Sequence, residues 1–314
     1  MPFICLGIGL LIGIRHLSDK MIAVVDRVVN FALIVLMLTI GMNIGINDSV
    51  MLNLGTIGLN CIFISLSAIS LSVVLVAIVE RTLLPLDALR EKLNARHMDV
   101  SREVDVDREK DGKMSPLVWI MPASIVAGVA AGYFLMSAGQ AKALGFSLLG
   151  SLVLLYVGVG ISLGTNRKVF RYVRILGFRV IYISIAIFIG SLAGGLLSGL
   201  ILRIPLHVSV LASAGMSYYS ITGAYMTQVY GIEAGTYGFV VNVMREFFTV
   251  LLLPLLIKTG KGGPIAGGAA GSMDTMLVPV TKFVGKELGL VALITGVILT
   301  FAVPVILPVL QKLW

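Results

Sequence analysis

The chain has 314 residues, of which 58% are apolar and only 13% charged, with a formal net charge of +8 and a mean hydropathy of +1.01. Soluble domains carry about 25% charged residues, so the composition excludes an ordinary soluble fold. The basic surplus sits in short loops between apolar runs, as the positive-inside rule requires, and is no footprint of a nucleic-acid partner. Apolar runs of about 20 residues recur along the length. The expected class is an all-α polytopic membrane protein forming a single membrane domain, residues 1–314.

In chain order, the first apolar segment is Pro2–Ile14, short for a span and followed by Arg15 and Lys20. It lacks a basic n-region and a small-residue cleavage site, so no removable signal is expected. The second and third segments cover Val28–Ile46 and Leu52–Val79, with Asp26 and Arg27 reading as interfacial charges. Residues 80–115 form the long charged loop, holding eight Lys/Arg between Glu80 and Lys113. The next segments are Pro116–Ser137, Leu144–Leu163 and Ile175–Leu202, with Arg167, Lys168, Arg171 and Arg174 between the last two. Basic loops thus follow segments one, three and five, which places those loops in the cytoplasm and the N-terminus outside.

The last third is less regular. His207–Tyr230 is interrupted by polar residues and glycines, Tyr237–Ile257 is a clean span, and Gly262–Thr281 is Gly-rich with no long apolar run. Leu288–Leu310 is the final span. Two full crossings by the irregular segments would put Lys258 and Lys261 outside. Two re-entrant hairpins or broken helices keep Lys258, Lys261, Lys282 and Lys286 in the cytoplasm, and the charge rule favours them. The expected layout is about eight transmembrane helices, two re-entrant or broken segments, and both termini outside. Irregular backbone at membrane depth persists only against protein or a water-filled cavity, so a cavity is expected here. A Gly-centred echo between Leu38–Ile44 and Tyr156–Leu163 suggests inverted repeats.

Glu246 is the leading site candidate, because an intramembrane carboxylate is costly and marks ion or substrate paths. Arg245 adjoins it, and Asn242, three and four residues earlier, borders both on a helix. Asp48 closes the second segment with Asn43 and Asn47; an alternative reading there is a helix cap. Asp274 lies beside Ser272 in a Gly-rich stretch, where a loop acid is the plain alternative. Ser213, Ser217 and Ser220 fall at helical spacing, and with Tyr218, Tyr219, Thr222 and Tyr225 they suit either interhelical packing or a cavity wall for an organic cation. Gly128/Gly132, Gly190/Gly194 and Gly195/Gly199 read as helix contacts. His16, His97 and His207 stand at segment ends or in the loop, and no hydrolytic, metal or nucleotide motif appears. Cys5 and Cys61 lie in apolar segments and suggest neither a disulfide nor a metal site. No enzyme activity and no cofactor are expected.

Met244-Arg245-Glu246, then Ser272-Met273-Asp274 before Pro279, with Gly41-Met42-Asn43-Ile44 leading to Asp48 and Tyr218-Tyr219-Ser220-Ile221-Thr222-Gly223, together resemble the bacterial lysine exporters of the inner membrane. The resemblance runs over nearly the whole chain. It implies efflux of L-lysine and its toxic thioether analogue, eight spans with both ends outside, and two intramembrane acids that fall on Asp48 and Glu246. The first segment is shorter, and the charged loop longer, than in that family.

Exporting one net positive charge against a membrane potential costs about 2.3 kcal/mol per 100 mV. Uphill export therefore needs an inward counter-ion. The simplest is a proton exchanged at Glu246 and Asp48; sodium, suited by Asn43, Asn47 and backbone carbonyls, stays open. The alternatives are an inorganic cation/proton antiporter and a non-transporting scaffold. Expected partners are L-lysine, the coupling ion and the lipid bilayer of a bacterial or archaeal cytoplasmic membrane.

Overall fold

The computed structural model describes residues 2–15, 18–95, 117–136, 140–165 and 178–313. The expected loop residues 96–115, His16, His97, and the cluster Arg167, Lys168, Arg171 and Arg174 lie outside the described residues. The described residues are helical, with no strand among them. Six helices are long and apolar enough to cross a membrane, and two shorter apolar helices, Phe3–Ile14 and Ala123–Leu135, accompany them.

The first spans are α1 (Pro2–Ile14), α2 (Asp19–Ile46) and α3 (Asp48–Thr82). A short amphipathic helix α4 (Leu86–Ala95) follows, then α5 (Leu117–Leu135), α6 (Ala141–Thr165) and α7 (Ile181–Leu202). Glycines set how these helices meet. A Cβ on Gly41 would stand 2.4 Å from the Ile125 carbonyl oxygen, and one on Gly128 2.4 Å from that of Leu38. Only glycine lets backbones approach so closely in a bilayer, where packing rather than the hydrophobic effect joins helices. Gly41 and Gly45 meet Gly128 and Gly132 in the same order, so α2 and α5 run parallel. Gly9 and Gly13 meet Gly160 and Gly164, so α1 and α6 do too. In contrast, Gly190 meets Ser72 and Gly194 meets Ala68, so α7 is antiparallel to α3.

These directions make α1–α2–α3 and α5–α6–α7 inverted copies. The Gly-centred echo between segments two and five falls on the two seams of this arrangement, at Gly41 and Gly160.

The last third contains two hairpins that enter from opposite ends. The first is α8 (Leu206–Ala214), a tip at residues 215–218, and α9 (Tyr219–Tyr230). Gly199 packs on Ser209 and Leu206, while Gly195 packs on Ser213, so α8 descends from the end of the bundle where α7 finishes. Helix α10 (Ile232–Thr259) then crosses back. The second hairpin is α11 (Gly262–Gly268), a tight turn Ala269–Met273, residues 274–276 and α12 (Leu277–Val284). Helix α13 (Lys286–Gln311) completes the chain. The tips meet in the middle, where the Ala270 N–H donates to the Met216 carbonyl at 2.9 Å.

A second internal repeat is written here. Thr227-Gln228-Val229-Tyr230-Gly231-Ile232-Glu233-Ala234-Gly235 and Thr281-Lys282-Phe283-Val284-Gly285-Lys286-Glu287-Leu288-Gly289 share Thr, Gly, Glu and Gly at identical spacing. In each, a left-handed glycine (φ 89° at Gly231, 93° at Gly285) ends the hairpin and starts the next span. In each, the later glycine receives the threonine side chain against its α-carbon. Sequence reading missed this repeat because four matched positions carry little statistical weight.

The expected polar stripe of Ser213, Ser217 and Ser220 is corrected. Met216 and Ser217 adopt left-handed φ values of 48° and 77°, which break the helix between α8 and α9. The three serines therefore lie on α8, the tip and α9 respectively.

The loop start that is described folds onto the base of the second hairpin. Glu80 accepts from the Lys261 N–H at 3.1 Å and the Gly262 N–H at 2.9 Å, capping α11, where a helix N-terminus favours a negative charge. Asp87 pairs with Lys261 and Arg90 with Glu287 at 3.4 Å, so α3 and α4 hold both feet of that hairpin.

Candidate functional site

Glu246 lies at the centre of α10 and points toward the second hairpin's tip. Its Oε1 accepts from the Thr275 hydroxyl at 3.0 Å, and a Cβ on Gly271 would come within 2.8 Å of the same oxygen. Asp274, one residue from Thr275, is close enough to interact electrostatically with Glu246. Its side chain is exposed, and its Oδ1 accepts from the Thr275 N–H. Tyr218 and Tyr219 open α9 at the first tip, which touches the second tip through the Met216 carbonyl. Tyr219 also packs edge-on against Phe239, ring centroids 5.5 Å apart. The Tyr218 carbonyl accepts from the Thr222 hydroxyl at 2.8 Å, fixing the start of α9. The hairpin tips thus assemble two carboxylates and two phenol rings beside broken backbone.

The neighbours of Glu246 in sequence serve other elements. Successive helix residues diverge by about 100°, so Arg245 and Glu246 face different neighbours. The Arg245 guanidinium is 1% exposed. It donates to Ser191 Oγ at 2.7 Å, Ser72 Oγ at 3.3 Å, and the Ala266 and Gly267 carbonyls at 3.0 and 3.3 Å. Those carbonyls close α11, where a cation complements the helix end. Asn242 is likewise structural in contact: its Oδ1 accepts from the Ser217 N–H at 2.8 Å, and its Nδ2 donates to the Ala212 and Gly238 carbonyls. It stitches the first hairpin's tip to α10. The equivalent position on α13 by the internal repeat is Gly296, where a Cβ would strike the Met273 nitrogen at 2.3 Å. One hairpin tip is held by an amide, the other by direct backbone contact.

Ser272 is fully buried at the second tip, and Ser220 and Thr222 are buried at the start of α9. Asn43, Asn47 and Asp48 are elsewhere. The Asn43 amide donates to the Thr39 carbonyl at 2.9 Å, and Asn47 Oδ1 caps α3 through the Val50 N–H at 3.0 Å. Asp48 opens α3 and is exposed. Cys61 of α3 contacts Val241 of α10 and the two helices run parallel. At 1.5 Å per helical residue, Asp48 and Glu246 therefore stand roughly 25 Å apart along the bundle.

Thr275 was missed by sequence reading, because nothing in the string separates it from an ordinary loop threonine. No group of three or more His, Cys, Asp or Glu that could hold a metal occurs among the described residues. Both cysteines are free and buried.

Comparison with known proteins adds a family. The family model described as "Lysine exporter LysO" matches residues 123–311, well over half of the chain. The Escherichia coli K12 protein named lysine exporter LysO is 28% identical over 157 residues, which is 50% of this chain and 52% of that one. A Haemophilus influenzae protein provisionally named a lysine exporter is 26% identical over 156 residues, 50% of this chain and 80% of that one. The chain therefore spans about half the length of the first of these relatives. No solved structure matches.

Proposed function

This chain belongs to the lysine exporter LysO family, and from that premise we propose that it exports L-lysine and close basic analogues from the cytoplasm by secondary-active exchange. The observation that carries this reading is the Glu246 carboxylate held by Thr275, the residue after Asp274, where the second hairpin's tip meets the first tip that leads into Tyr218 and Tyr219. Two carboxylates suit a substrate with two ammonium groups, and phenol rings add cation–π attraction.

The coupling ion is the proton. Glu246 and Asp274 take up protons when the cation leaves and release them when it binds, so the site is never loaded with both. Asp48 lies too far from Glu246 for one lysine molecule to touch both. It acts at a separate stage, drawing or releasing the cation at the outer end. The side bearing Arg81, Arg90, Lys258, Lys261, Lys282 and Lys286 is cytoplasmic by the charge rule, which puts both termini outside in a bacterial cytoplasmic membrane. Residues 1–314 act as one membrane domain, with the 80–115 loop on the cytoplasmic side.

Calorimetric titration of the purified chain with lysine tests the site. Wild type binds, while Glu246→Gln and Asp274→Asn each weaken binding about tenfold or more, as loss of a charge-assisted hydrogen bond does. Unchanged affinity in both variants would remove these carboxylates from the site.

A further inference from the structure

At the end of the bundle where α10 finishes, an open crevice of about 500 Å³ lies between α3, α4, α10 and α12. Its charged lining is Glu80, Asp87, Arg90, Lys258, Lys261 and Lys282, four cations against two carboxylates. Four of these side chains or their backbones are already engaged. Glu80 caps α11 through the Lys261 and Gly262 N–H groups, Asp87 pairs with Lys261, and Arg90 pairs with Glu287. Lys258 on α10 and Lys282 on α12 remain. Both are exposed, and neither has an ion pair among the described residues. Two cations from different helices thus face one crevice with no counter-charge of their own.

The residues above these lysines narrow the kind of anion that fits. Leu251 and Leu255 precede Lys258 by seven and three residues on α10, so the three share a face, and both leucines are 58% exposed. Val278 precedes Lys282 by one turn on α12 and is also exposed. Phe283, beside Lys282, is exposed at the crevice itself. Large apolar side chains left bare along a span face the acyl chains of the bilayer. Each free lysine therefore stands at the foot of an apolar stripe, where a lysine stem reaches toward the headgroups. A small soluble anion needs only the lysines. A phospholipid with net negative charge uses the stripes as well.

We propose that this crevice binds the phosphate of an anionic phospholipid, with Lys258 and Lys282 holding the headgroup and an acyl chain lying along Leu255 and Leu251. Basic pockets between transmembrane helices suit such headgroups. The site is separate from the carboxylates at the tips, and the inference goes beyond the export reading without depending on it. Its consequence is mechanical. Helix α12 belongs to the hairpin whose Thr275 bonds Glu246, so a lipid held between α10 and α12 braces the foot of that hairpin.

The test is equilibrium binding of radiolabelled phosphatidylglycerol to the purified full chain in detergent. The competitors are unlabelled phosphatidylglycerol, zwitterionic phosphatidylcholine with the same acyl chains, and inorganic phosphate. One variant combines Lys258→Gln with Lys282→Gln. The control combines Lys20→Gln with Lys142→Gln, which removes two exposed lysines elsewhere. In wild type, phosphatidylcholine is expected to compete about tenfold or more weakly than phosphatidylglycerol, and inorganic phosphate not at all. The first variant is expected to lose that preference and the control to keep it. Equal competition by the two lipids in wild type would overturn the site, as would a preference that survives Lys258→Gln with Lys282→Gln. Equal loss in the control would overturn it too, since that pattern marks general charge attraction. Displacement by inorganic phosphate would overturn the lipid as occupant.

Discussion

At the scale of single residues, Arg245 is the clearest case of a charge whose work differs from what its neighbour suggests. Its four hydrogen bonds reach α3, α7 and the end of α11, a fan that suits the planar guanidinium and not a compact ammonium. Arg245→Lys keeps the charge but cannot span all three elements. It is expected to destabilise the protein by about 2–4 kcal/mol, from lost charge-assisted bonds and stranded carbonyls. Thermal melting in detergent reads this directly; an unchanged melting temperature would return Arg245 to the substrate. Glu246 was legible in the string because a carboxylate in an apolar run is conspicuous. The contacts of Arg245 and Asn242 were not, since adjacency in sequence says little about which face of a helix meets which neighbour. Thr275 was invisible for a related reason: its hydroxyl matters through Glu246, a three-dimensional neighbour that no local spacing encodes.

At the scale of elements, the two hairpins hold the site by different means, and the sequence announced only their existence. The placement of Lys258, Lys261, Lys282 and Lys286 argued for two half-entering segments, and both appear, one from each end. The tips' fastening could not be read: Asn242 on α10 and Gly296 on α13 are 54 residues apart and look unrelated until the Thr-Gly-Glu-Gly repeat aligns them. Asn242→Ala strands the Ser217 N–H and the Ala212 carbonyl. It is expected to cost about 1–3 kcal/mol in stability for the unsatisfied groups and to weaken lysine binding, measured by melting and titration of one preparation. Gly296→Ala forces a methyl into the second tip's backbone. It is expected to impair transport more than the small change in side chain would suggest, since Thr275 and Asp274 ride on that tip. Full transport by Gly296→Ala in vesicles would show that the tip has room to shift.

At the scale of the whole molecule, two inverted pairs of units surround the candidate site where the hairpin tips meet: α1–α2–α3 against α5–α6–α7, and hairpin plus span against hairpin plus span. Inverted architecture of this kind gives a site equivalent routes to either side, the geometric basis of alternating access. The all-α polytopic layout, six long apolar helices and two shorter ones among the described residues, was legible because apolar length is a whole-chain property. The proposed orientation rests on the distribution of lysines and arginines and has its own check: a single cysteine beside Lys258, in a Cys5→Ala, Cys61→Ala background, is expected to react with an impermeant thiol reagent only from the cytoplasmic side. Labelling from outside would invert the topology.

The central claim is that carboxylates at the meeting of two hairpins exchange lysine for protons. Its most direct test is lysine movement in proteoliposomes under an imposed pH gradient, with wild type beside Glu246→Gln. The account expects gradient-driven lysine flux in wild type and its loss in a folded Glu246→Gln protein. Lysine flux that ignores the pH gradient, or that persists in the variant, would contradict it.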